Sequence, residues 1–126
     1  MVPRKGGPLL TDPASLPAWV TESDVDFYVG EFTRSGFRGG LAWYRNVDRS
    51  WELMAAFGGA AVTVPALYIA GDHDVIVAAF QQFIAKQSIL VPKLRPTIML
   101  PGCGHWTQQE RAPEVSAAMI EFLRQL

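Results

Sequence analysis

The chain has 126 residues, enough for one domain of ordinary size and too few for two. Charged residues make up 18% and hydrophobic residues 49%; the usual charged share is about 25%, so the chain carries more apolar surface than a small self-contained domain needs. A net charge of −1 with no basic run excludes nucleic-acid binding through an electrostatic patch, and the single Cys103 excludes an intrachain disulfide and fits a reducing, cytoplasmic setting.

In chain order, residues 1–20 carry Pro3, Pro8, Pro13 and Pro17 without periodicity and read as an extended connection. The basic residues near the start have no apolar stretch behind them, so no secretion signal is expected. Thr21, with Asp24 three residues on, is a capping-box match that opens a helix. Val25, Tyr28, Val29 and Phe32 form its stripe, and Gly36 stops it. Tyr44, Val47, Trp51 and Met54 share a second helical stripe after Gly39-Gly40, with a break expected near Asp48.

Met54 to Gly71 holds no charge and is long enough to raise the question of a membrane span. Gly58-Gly59, Thr63 and Pro65 interrupt it, and acidic Glu52 and Asp72 bracket it without a positive anchor. It reads instead as loop plus buried strand, and no membrane span is expected.

From Val64 the pattern changes. Val64 to Ala70 is a short apolar run with little alternation, as in a parallel strand covered on both faces. Ile76, Phe80, Phe83 and Ile84 mark a helix, Thr97 to Leu100 a second strand between Pro96 and Pro101, and Pro113 opens a last helix striped by Val115, Ala118, Met119 and Phe122. The predicted class is α/β: two helices, then a parallel βαβα unit.

Each predicted strand runs into a loop with chemistry. The second is followed by Pro101-Gly-Cys-Gly-His-Trp-Thr-Gln-Gln-Glu-Arg111, which presents His105 between glycine and tryptophan; the first ends in Gly71-Asp72-His73-Asp74. Open α/β sheets place their chemistry beyond the carboxyl ends of their strands. His105 is therefore a candidate general base, with a carboxylate on its far nitrogen. Spacing alone does not choose between Asp72 and Asp74 for that carboxylate. His73 reads as a solvated loop residue, Cys103 as a small, half-buried residue at a strand end. Two histidines and one cysteine without metal spacing argue against a metal site. No serine sits in a G-x-S-x-G elbow, and Asp12, Asp24, Asp26 and Asp48 all lie in turn or helix-start contexts, so no nucleophile is found.

Three passages together resemble the epoxide hydrolases of the α/β-hydrolase fold: Ser35-Gly-Phe-Arg-Gly-Gly-Leu-Ala-Trp-Tyr-Arg-Asn46, the strand and turn from Val64 to Val77, and Gly102-Cys-Gly-His-Trp-Thr-Gln108. The likeness runs from about Thr21 to the C-terminus. In that family an aspartate attacks an epoxide carbon to form an ester, tyrosines of a helical cap donate to the epoxide oxygen, and a histidine–acid pair activates water against the ester. The resemblance implies His105 as the base, Asp74 as its acid partner (the second aspartate of such a turn) and Tyr44 as a cap tyrosine. It implies no cofactor and no metal, and a small lipophilic epoxide as substrate.

It also implies a partial α/β-hydrolase fold: residues 21–57 as the end of the helical cap and 58–126 as the C-terminal part of the core. On this expectation the chain is a fragment lacking the nucleophile and oxyanion hole, inactive alone, completed by a missing N-terminal half or associated as a homodimer. The alternatives are another α/β hydrolase, such as a haloalkane dehalogenase or an esterase, and a non-catalytic binding or assembly remnant.

Overall fold

The computed structural model describes residues 14–126. The first part of the expected 1–20 connection lies outside them. The chain divides into two compact units, Met1–Val47 and Asp48–Leu126.

The first unit is helical. Helix α1 (Glu22–Ser35) starts at Thr21, where the predicted capping box forms: Asp24 N–H donates to Thr21 Oγ1 at 3.2 Å and Thr21 N–H donates to Asp24 Oδ2 at 2.8 Å. These bonds satisfy backbone donors that a helix start leaves open. The helix ends at Gly36, whose φ of 66° suits a residue without a β-carbon. Phe32 and Phe37 stack across that turn with ring centroids 4.5 Å apart. Helix α2 (Arg38–Arg45) includes Gly39-Gly40 instead of following it. It stops at Asn46, whose side-chain amide donates to the Ala42 carbonyl at 2.7 Å. The break expected near Asp48 thus falls two residues earlier, because this amide satisfies a C-terminal carbonyl there.

Helix α3 (Val47–Leu53) opens at the boundary between the units and passes into a 3-10 turn, Ala55–Phe57. Strand β1 (Ile69–Gly71) and strand β2 (Ile98–Leu100) then pair in parallel, Ile69 with Ile98, Ala70 with Met99 and Gly71 with Leu100. Both are shorter than the runs predicted from sequence. Upstream, only a single bridge, Ala66 to Leu94, continues the pairing; Pro65 and Pro96 cannot donate to a ladder. Between the strands lie α4 (Val75–Ile84), with a non-helical Phe80, and the short α5 (Gln87–Leu90). After β2 come α6 (Thr107–Glu110), which the sequence reading did not anticipate, and α7 (Ala112–Arg124) with Pro113 in its first turn. The predicted βαβα order holds.

The core of this unit is small. Leu100, Cys103 and Val115 form its buried cluster, with Ile69 and Ile98 packed against it. Large apolar side chains such as Phe83, Ile89 and Leu123 stay exposed. An open groove of about 620 Å³ runs along β1 and α7, lined by Leu67, Ile69, Met119 and Phe122 among others. The apolar surplus of the composition therefore lies on bare faces. Among the described residues no helix is long and apolar enough to cross a membrane.

Candidate active site

Because β1 and β2 are parallel and pair as far as Gly71 and Leu100, their following loops leave the sheet at the same edge. Three backbone or side-chain bonds tie the loops together. His73 N–H donates to the Cys103 carbonyl at 3.0 Å, Asp72 N–H to the Leu100 carbonyl at 3.3 Å, and Gly102 N–H to Asp72 Oδ1 at 2.7 Å. The approach is close enough that a β-carbon at Gly71 would lie 2.1 Å from the Cys103 carbonyl oxygen and 2.3 Å from that of Gly104. Only glycine fits there.

Within this double loop His105 Nδ1 lies 2.9 Å from Asp74 Oδ2. The other oxygen of Asp74 accepts the Ile76 N–H at 2.8 Å, so Asp74 is also the N-cap of α4. A residue fixed by a helix cap offers a carboxylate of fixed direction. Asp74 is buried, with 8% of its surface exposed, while the His105 side chain is 54% exposed. The Ile76 N–H holds the Asp74 carboxyl below its ordinary pKa; burial opposes this, and the bond to His105 and its charge add to the lowering. An ionised Asp74 only accepts, which assigns the proton to Nδ1 of the neutral imidazole and leaves the Nε2 lone pair free for a proton. The Trp106 ring meets the imidazole edge to face, with centroids 5.2 Å apart.

The remaining sequence candidates separate. Asp72 binds the Gly102 backbone and not His105. His73 is exposed, its Nε2 3.9 Å from Asp72 Oδ1, as expected of a solvated loop residue. Cys103 is buried more deeply than its half-buried expectation, at 1% exposure, and burial pushes its thiol pKa up, helped by the nearby Glu110 carboxylate. Tyr44 lies in the last turn of α2, in the first unit, and is 80% exposed.

Two residues were missed from sequence. Glu110 Oε2 accepts Gly104 N–H at 2.7 Å and its Oε1 accepts Trp106 N–H at 3.0 Å. Arg111 donates through Nη1 to the Pro101 carbonyl at 2.9 Å and through Nε to Glu114 at 2.8 Å. The loop carrying His105 is thus held from the helical side as well. Glu110 closes the start of the short α6 at the Trp106 N–H, without a side-chain cap from Trp106 or Thr107, so the sequence carried no capping signal for it. Among the described residues no group of three or more His, Cys, Asp or Glu could hold a metal ion.

Epoxide hydrolase A of Mycobacterium tuberculosis (strain ATCC 25618 / H37Rv) is 47% identical over 114 residues, which is 90% of this chain and 35% of that protein. The crystal structure of epoxide hydrolase A from Mycobacterium thermoresistibile superposes with a TM-score of 0.83 at 45% identity, over 90% of this chain and 35% of that one. The chain is epoxide-hydrolase-like in sequence and in fold. It resembles the C-terminal portion of epoxide hydrolases of the α/β-hydrolase fold. A third example, an epoxide hydrolase from Vigna radiata, gives a TM-score of 0.84 at 36% identity, over 90% of this chain and 39% of that one. The chain spans only 35% of the length of the Mycobacterium tuberculosis protein and 31% of epoxide hydrolase B from the same organism. No family model matches the sequence. The relatives named here are epoxide hydrolases, so the dehalogenase and esterase alternatives are not favoured.

Proposed function

We propose that these residues supply the water-activating pair and a cap tyrosine of an epoxide hydrolase that opens a small lipophilic epoxide to a diol. The observation that carries this reading is the 2.9 Å contact of His105 Nδ1 with Asp74 Oδ2, at the ends of adjacent parallel strands. Asp74 holds the imidazole in one tautomer and stabilises the imidazolium that forms when Nε2 takes a proton from water. The hydroxide so generated attacks the ester carbonyl left by epoxide opening, which divides one slow hydration into two easier steps. Tyr44 donates its hydroxyl to the epoxide oxygen as alkoxide charge develops.

On this reading residues 21–57 belong to the cap and 58–126 to the core. The aspartate nucleophile and the oxyanion-hole donors are not among these 126 residues, so the chain assayed by itself gives no turnover. The bare apolar groove along β1 and α7 suits a segment that packs against further sheet. The buried, unpaired Cys103 suits a reducing, cytoplasmic setting.

The test is a chimera in which this chain replaces the matching part of the Mycobacterium thermoresistibile enzyme. It should hydrolyse a lipophilic epoxide, and His105→Ala should stop turnover with the alkyl ester accumulating on the protein, visible as the added substrate mass. Tyr44→Phe should slow ester formation instead. Undiminished turnover by the His105→Ala chimera would overturn the assignment.

A further inference from the structure

The Glu110 carboxylate has an unusual pair of partners. Its two oxygens accept the N–H groups of Gly104 and Trp106, the residues on either side of His105. One rigid planar group therefore fixes the backbone before and after the histidine. The bonds are charge-assisted, the stronger kind. A β-carbon at 104 would stand 2.9 Å from Glu110 Oε1 and 3.3 Å from Oε2, so a side chain there would push the carboxylate off its two amides. Glu110 itself is carried by α6, whose start at Trp106 is closed by the same carboxylate. On the opposite side the loop is held by Asp72 and by the Cys103 carbonyl. The backbone that carries the imidazole is thus held by several bonds, and Asp74 meets the ring itself at one atom, Nδ1.

We propose that Glu110 is a positioning residue for His105: by binding both flanking amides it holds Nδ1 on the Asp74 carboxylate. The inference rests on the reading of His105 and Asp74 as the working pair, and its test observes that pair directly instead of turnover. Loss of the clamp frees the peptide planes at 103–104 and 105–106. The imidazole then swings from Asp74, and the two neutral tautomers mix.

The experiment is ¹⁵N and ¹H NMR of the full 126-residue chain uniformly labelled with ¹⁵N, comparing the unmodified protein with Glu110→Gln, Glu110→Ala and the control Asp74→Asn. The unmodified chain should show a protected Nδ1–H signal for His105 that Asp74→Asn abolishes. Glu110→Ala should remove that signal, mix the tautomers and speed amide exchange at Gly104 and Trp106 by roughly tenfold or more. Glu110→Gln keeps the volume and one acceptor but turns an amide donor towards the other N–H. It should weaken the signal and release one of the two amides, and it decides the matter should the alanine variant not fold. An unchanged Nδ1–H signal and tautomer in the folded variants would overturn the role of Glu110 and leave the pair standing. Absence of an Asp74-dependent signal in the unmodified chain would overturn both readings.

Discussion

Asp72 and Asp74 stand two positions apart on one turn and bind different targets: Asp72 Oδ1 takes the Gly102 N–H, and Asp74 Oδ2 meets His105 Nδ1. One aspartate staples the two loops and the other faces the imidazole. The two should therefore respond differently to substitution. Asp72→Ala should cost about 1–2 kcal/mol of stability in denaturant unfolding and leave the His105 tautomer unchanged. Asp74→Asn should disturb the tautomer, and in the chimera it should lower ester hydrolysis on the order of 10³–10⁴-fold. Equal effects of the two changes on His105 would refute this division of roles.

Gly71→Ala is expected to be the most disruptive single-methyl change. The added carbon would sit 2.1 Å from the Cys103 carbonyl oxygen, a backbone atom that cannot move without breaking its bond from His73 N–H. Overpacking of this kind costs about 1–3 kcal/mol, and the upper end applies where backbone must shift. A denaturation midpoint equal to that of the unmodified chain would show that the loops part more freely than this contact implies.

The acid limb of stability should carry the mark of Asp74. Its folded pKa is lowered, first by the Ile76 N–H and then by His105. The folded state thus binds this proton less readily than the unfolded chain. The resulting stability is complete above the ordinary carboxyl value of 3.8 and drains away as the pH falls through the lower folded value. Asp74→Asn should flatten that part of the curve, measured as unfolding midpoint against pH. A curve with the same acid slope in both proteins would assign the effect to other carboxylates.

Cys103 predicts the opposite limb. Burial raises its pKa above the ordinary 9.0, with Glu110 adding to the shift. The folded state holds the thiol proton more tightly, so this contribution is present below the ordinary value and is lost as pH rises towards the folded one. Thiol reagents should react slowly at neutral pH, at a rate set by opening of the fold, and Cys103→Ala should remove the alkaline destabilisation. Rapid labelling of the folded chain at neutral pH would contradict the burial of this residue.

The sequence by itself determined the elements whose signals are local. Thr21 and Asp24 mark the start of α1 because a capping box closes within four residues. The prolines at 96, 101 and 113 delimit β2 and the entry to α7 because a missing N–H acts where it stands. The two loops with His105 and the paired aspartates were legible for the same reason, and the similarity of the motifs to epoxide hydrolases was carried by contiguous residues. Only the tertiary structure showed the Asp74 carboxylate against His105 Nδ1 and what Glu110 touches. Asp72 and Asp74 are the same residue type on one turn, so spacing alone left both open and only the resemblance singled out Asp74. The choice depends on the register of Gly71 with Leu100, which brings together groups 31 positions apart. Glu110 likewise shows its partners only once α6 has formed, because that turn carries its carboxylate back over the loop it follows.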